Sequence, residues 1–207
     1  KHLKDNGNIT FICSDTFLTI PTMKGLRNYL SSPADAEKDL VRFYYKDRED
    51  MFDLVSYQKG GRILNMLRHY VGDEAFFASL HKYLDDNKFN NGSAIKLKLA
   101  FEAVTGKDLN WFFNQWYFSN GHPYVRIQQK YLADQQKVLV TIQQTQTQNK
   151  LFTLPVGVDV YVQGNRNHYD VWSKNKIDSF YFPAAVAPDN VNVDNDKVLL
   201  WAKDESK

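Results

Sequence analysis

Cysteine is almost missing from these 207 residues: Cys13 stands alone. One thiol excludes an internal disulfide and a thiolate-held metal cluster, and it leaves the redox compartment open. Long apolar runs are missing too, since none approaches the roughly 20 residues that span a bilayer as a helix. The opening residues Lys1-His2-Leu3-Lys4-Asp5-Asn6 lack the apolar centre of a secretion signal. Nor is there an excess of one charge. The balance of 26 Lys and Arg against 24 Asp and Glu leaves a net +2, with the signs interspersed. No concentrated field is available for nucleic acid or an anionic membrane. What remains is a globular composition, 43% hydrophobic and 24% charged, long enough for one large domain or two small ones.

The hydrophobic period changes once along the chain. Up to about Asp53 it is irregular, broken at Phe17-Leu18-Thr19-Ile20-Pro21 and Ser31-Ser32-Pro33, with a short helix expected from Asp35 to Tyr44. Four amphipathic helices are then predicted. The first places Ile63, Leu64, Met66, Leu67, Tyr70 and Val71 on one face and Gln58, Arg62, Asn65 and His69 on the other, ending at Gly72. The second takes Asp73 as N-cap and buries Phe76, Phe77, Leu80, Tyr83 and Leu84. The third starts at Ser93, buries Leu97, Ala100, Phe101 and Val104, and stops at Gly106. The fourth opens at Asp108, buries Leu109, Phe112, Phe113, Trp116 and Tyr117, and closes at Asn120-Gly121 before Pro123. Short connections between such helices predict an antiparallel array.

Beyond Pro123 the period is two. Strands are expected at 124–130, through Val138, Val140 and Ile142, at 156–162, 168–173, 177–182, 191–193 and 198–201. The glutamine-rich piece 143–149 reads as a tip between two of them. The expected fold is α+β: a helical array over 1–122, then a small β-sandwich of immunoglobulin-like type over 123–207.

One segment combines a helix start, a glycine pair and a tyrosine placed where the helix opens: Tyr57-Gln58-Lys59-Gly60-Gly61-Arg62-Ile63-Leu64. It resembles the tyrosine-x-lysine-glycine signature of the M1 family of zinc aminopeptidases. Ala100-Phe101-Glu102, Thr105-Gly106, Asp108-Leu109-Asn110-Trp111-Phe112-Phe113, Gln115-Trp116 and Gly121-His122-Pro123 follow in the family's order. The resemblance implies the helical second half of an M1-type catalytic domain, peptide substrates, and an oxyanion-stabilising role for Tyr57. A phenol keeps its proton at neutral pH, so it donates to a developing oxyanion without changing state. Gly60 and Gly61 suggest close approach of another backbone.

The family holds Zn2+ through H-E-x-x-H and a later glutamate, and His2, His69, His81, His122 and His168 do not form that pattern. No residue here is assigned to metal, and His122 is read as shaping a turn. The Zn2+ ligands are expected in an N-terminal zinc-binding part of the same protein, the partner of this chain, which is then inactive when isolated. The alternatives are a non-catalytic M1-like scaffold for protein interaction, and a carbohydrate-binding module using Tyr161, Tyr169 and Trp172. The mixed-charge run Lys46-Asp47-Arg48-Glu49-Asp50 reads as solvated surface or a substrate entrance. Asn8-Ile9-Thr10 and Asn91-Gly92-Ser93 match the glycosylation triplet, the second being explained by a turn and an N-cap.

Overall fold

The computed structural model describes residues 38–42 and 46–204. Cys13, the Asn8-Ile9-Thr10 triplet, His2 and half of the expected helix at 35–44 lie outside them, and the described residues 38–42 of that span are not helical.

The four expected helices form: α1 (Gly60–Val71), α2 (Asp73–Asp86), α3 (Ala94–Thr105) and α4 (Asn110–Trp116). Their ends follow from local chemistry. Gly72, at φ 87°, and Gly106, at φ 66°, adopt backbone conformations that a side chain resists, and they end α1 and α3. Ser93 caps α3 by accepting from the Lys96 amide at 3.2 Å. Asp108 accepts from the Asn110 amide at 2.8 Å, so it sits two residues ahead of α4 rather than opening it.

Two expectations for α2 need correction. Asp73 is its first residue and not its cap, because its carboxylate is taken by the Arg68 fork at 2.8 and 2.6 Å. Phe77 is exposed and Ser79 is buried, the Ser79 hydroxyl donating to the Ala75 carbonyl at 2.6 Å. Phe77 instead lies under the Arg68 guanidinium, 5.2 Å from its ring centre.

The β part holds seven strands in two sheets. Strands β1 (Tyr124–Leu132), β2 (Lys137–Gln144), β3 (Leu154–Val162), β4 (Asn165–Ser173), β5 (Ile177–Pro183), β6 (Asn190–Val193) and β7 (Ala202–Asp204) order as β5-β2-β1-β7 and β4-β3-β6. All neighbours are antiparallel except β1 and β7. Period-two burial is clean in β2, where Val138, Val140, Ile142 and Gln144 are all buried. In β3 Val156, Val158 and Val160 form the inner row. Tyr169, in register with Val158, packs with its ring centre 4.6 Å from that of Phe182 on β5, so the two sheets share that core.

The strand expected at 198–201 does not form. Leu199, Leu200 and Trp201 are buried in succession, without alternation. The Asp194 carboxylate takes the amides of Val198 and Leu199, at 2.8 and 3.3 Å, and the Leu200 amide points at the Met66 sulfur at 3.3 Å. With those N–H groups engaged, no ladder remains for them to join. The strand starts only at Ala202.

The glutamine-rich piece is also more than a tip. Gln144 is buried and behaves as a backbone surrogate, its amide exchanging two hydrogen bonds with Phe152, at 2.9 and 2.8 Å. That exchange closes the loop between β2 and β3. The helices and sheets are joined tightly: Gln115 of α4 makes the same two-way exchange with the Thr153 backbone, at 2.7 and 3.0 Å, and Trp116 lies 5.4 Å from Phe152. One apolar cluster runs from Val55 to Trp201 through both parts.

Candidate active site

The turn that carries Tyr57 is built from a short polar network. Ahead of α1, Val55–Lys59 form a π-helical turn. Wide turns of this kind occur mostly as single insertions in helices, and frequently at functional sites. Asp53 starts it. One carboxylate oxygen accepts the Ser56 amide at 2.9 Å, while the Arg42 guanidinium grips both oxygens at 2.7 and 3.2 Å and reaches the Ser56 hydroxyl at 2.9 Å. The Asp53 carbonyl accepts the Tyr57 amide at 3.2 Å. Burial pushes the Asp53 carboxyl up, but Arg42, the Ser56 amide and Lys38 together hold it below the usual carboxylate range. It is therefore an anion fixed against a cation, and it ties the turn to the segment around Arg42.

Tyr57 itself stays accessible. Its side chain is 39% exposed, next to Phe52 at 6.2 Å between ring centres, while Val55 and Lys59 on either side are fully buried. The ring is thus presented at the surface by a turn whose flanks are anchored in the core.

Sequence reasoning missed Lys59 as a buried cation. Its ammonium donates to the carbonyls of Lys38 and Ser119, at 3.2 and 3.4 Å. Burial, then the nearby Lys150, lower it to about 8. Lys150 lies beyond the end of α4, donating to the Gln115 and Asn120 carbonyls, both at 3.1 Å, and to the Ser119 hydroxyl at 2.7 Å. Burial lowers it too, to about 8. The carbonyls at a helix C-terminus are a favourable place for a cation, which is how two ammoniums settle in one polar pocket. His122 is buried beside them, its ring 4.9 Å from Tyr124, and burial with the Lys59 charge drives it down to about 4. His122 is thus a neutral ring packed at the end of the helical region.

At Gly60 the packing is close: a Cβ there would meet the Leu40 side chain at 3.4 Å and the Val55 carbonyl of the preceding turn at 3.8 Å.

His69 and His81 are exposed on α1 and α2. Among the described residues, no group of three or more His, Cys, Asp or Glu side chains is placed to hold a metal ion. These residues therefore do not fit a zinc centre. No helix among them is long and apolar enough to cross a membrane. The three aromatics considered for carbohydrate make no common platform: Tyr169 faces inward with Val158, whereas Tyr161 and Trp172 lie on the opposite face, in register with Arg166 and Pro155.

Parts of this chain are similar to known proteins. Residues 23–116 match the peptidase family M1 domain. A probable aminopeptidase 1 from Sulfurisphaera tokodaii is 35% identical over 79 residues, which are 38% of this chain and 10% of that protein. Aminopeptidase N from Lactococcus lactis is 37% identical over 76 residues, 36% of this chain and 9% of that protein. The matched stretch thus spans about a tenth of each of these relatives. A crystal structure of Legionella pneumophila aminopeptidase A in complex with aspartic acid superposes on 93% of this chain and 22% of its own, with a TM-score of 0.71 at 15% identity. That likeness shows the shared fold of the helices and sheets. Residues 23–116 are thus similar to the M1 peptidase domain, and Tyr57 and Lys59 lie within them.

Proposed function

We propose that this chain is part of a metallo-aminopeptidase that removes N-terminal residues from peptides, with Tyr57 as an oxyanion-stabilising donor. The observation that carries the reading is the exposed Tyr57 ring on a π turn, inside the segment that matches the family. Hydrolysis of a peptide bond passes through a tetrahedral species with a negative oxygen. A neutral donor held in place against that oxygen lowers the barrier. The Asp53 network fixes the backbone of the turn, and the buried Val55 and Lys59 fix its flanks, so the backbone that carries the ring is held in place. The metal of such an enzyme would be held by its N-terminal part, outside these residues, and that part is the partner of the surface that bears Tyr57. We assign residues 1–122 to the catalytic domain and 123–207 to an immunoglobulin-like sandwich. Seven strands in sheets of four and three with a shared inner core support that assignment.

The test is Tyr57→Phe in the full-length protein that contains this chain, assayed on an aminoacyl reporter. Turnover falls roughly 10²- to 10³-fold, as for loss of one oxyanion donor, with unchanged thermal unfolding. A variant that keeps a third or more of the wild-type turnover overturns the role. The chain alone shows no hydrolysis of the same reporter.

A further inference from the structure

The outer face of the β4-β3-β6 sheet meets the helices at Trp172, whose ring makes edge contacts with Tyr70 of α1 at 5.9 Å and Trp111 of α4 at 5.4 Å. Beside that contact the two parts separate around a cavity of about 340 Å3. A volume in this range suits a small ligand. Tyr70 and Trp172 line it with Asp159, His168, Asp170 and Asp194. It lies toward the far end of α1, roughly 20 Å along the chain axis from Tyr57 by helical rise, and nothing in the peptidase reading uses it.

The floor is carboxylate. Asp159 sits within a strand, where apolar residues are the rule, and its side chain is 1% exposed. Arg166 and His168 donate to the same oxygen, Oδ1, at 2.9 and 2.6 Å, and Oδ2 has no hydrogen-bond partner. A buried carboxylate oxygen without a donor is costly to leave so. Gly157, in register with Asp170, leaves room there: a Cβ on it would lie 3.0 Å from the His168 ring. His168 also reaches Asp170 at 3.3 Å, and the Asp170 carboxylate is otherwise open to solvent.

Cations surround these acids. Arg166 and His168 hold Asp159, His69 lines the wall, Arg62 and Lys203 act on Asp194, and Lys107 and Lys174 lie over Tyr70 and Trp172, at 5.1 and 5.3 Å. What the cavity offers is not a net negative field but an acceptor that lacks a donor, beside aromatic rings that already draw cations.

We propose that this cavity binds a guanidinium group, with Asp159 and Asp170 accepting its N–H groups and Trp172 covering its face. A guanidinium is planar, offers five donors in a fork that suits carboxylates, and stacks on aromatic rings; an ammonium matches only the charge. The group could arrive as a small guanidine or as an arginine side chain of a polypeptide.

Calorimetric titration of the protein with agmatine, with the isostere in which a neutral urea replaces the guanidinium and the ammonium is kept, and with a capped Gly-Arg-Gly peptide tests this. Agmatine or the peptide saturates the protein, and the urea binds at least tenfold more weakly. Tighter binding of the peptide identifies a polypeptide arginine as the source; tighter binding of agmatine identifies a small guanidine. Asp170→Asn, at a solvent-exposed carboxylate, weakens binding at least fivefold, and Asp159→Asn does so more strongly where circular dichroism shows it folded. Tyr57→Phe leaves binding unchanged, so the outcome is independent of the peptidase reading. No saturation up to about 10 mM, where free energies fall below roughly 3 kcal/mol, equal affinity for the urea, or an unaffected Asp170→Asn overturns the proposal and leaves a water-filled cavity.

Discussion

Asp53→Ala tests whether the turn presenting Tyr57 is held by the Arg42 clamp. The two side chains are largely buried, 19% and 13% exposed, and the pair is bidentate, at 2.7 and 3.2 Å. Deleting one partner of a buried pair costs about 3–5 kcal/mol because the other charge is stranded, whereas an exposed pair is worth under about 1. Partial exposure places this pair between those limits. The Ser56 amide loses its acceptor as well, for about 1 kcal/mol. A total near 3 kcal/mol follows, which for a chain of this size lowers the melting temperature by roughly 6–12 °C.

The loss carries a pH signature. The Asp53 carboxyl is held below its ordinary value in the fold, so the unfolded chain binds its proton first as the solution is acidified. The stabilisation is complete above the unfolded value of about 4, and it drains away as pH falls through the folded value. Thermal unfolding of wild type, Asp53→Ala, Arg42→Ala and the double variant at pH 7 and at pH 3 gives the measurement. The gap between wild type and Asp53→Ala narrows at the lower pH, and the cycle gives a coupling above about 1 kcal/mol. A drop under 3 °C at pH 7, or no coupling, refutes the clamp.

Lys59 makes the opposite pH prediction. Its folded value of about 8 lies under its ordinary 10.5, so between those limits the unfolded chain holds more protons and stability rises with pH. Urea midpoints measured from pH 7.5 to 9.5 increase, and Lys59→Met removes much of that slope; the remainder belongs to Lys150, which is lowered to the same value. Gln144→Leu keeps the volume but strands the Phe152 N–H and C=O in the core, costing about 2–4 kcal/mol; a melting temperature within 2 °C of wild type contradicts the surrogate role. Phe101→Ala, at a fully buried ring that meets Phe76 at 5.5 Å, costs about 3–5 kcal/mol. Chemical denaturation followed by circular dichroism reads it.

What could be read in advance was whatever periodicity encodes. The four helices and six of the strand positions follow from apolar spacing and from Gly72, Ser93 and Gly106, because those signals act within a few residues. The expected strand at 198–201 failed because its decisive partner, the Asp194 carboxylate, competes for the amides through a turn that hydrophobic spacing does not report. Tyr57 was singled out through the order of motifs around it. Its exposure, and the Arg42 clamp from residues outside any motif, depend on contacts across the fold.

The charged residues inside the protein were the least legible, and for one reason. A lysine or aspartate in a sequence is read as surface, since burial is paid for only when distant atoms satisfy the charge. Lys59 goes inside because Lys38 and Ser119 turn their carbonyls toward it, and Lys150 because the chain past α4 does the same. Asp159 goes inside a strand because Arg166 and His168 stand opposite it across β4. In the first two cases the ammonium has found several acceptors. In the third, one carboxylate oxygen has no donor, so the same rule that explains the lysines points to the Asp159 cavity as the place where this fold has polar capacity left over.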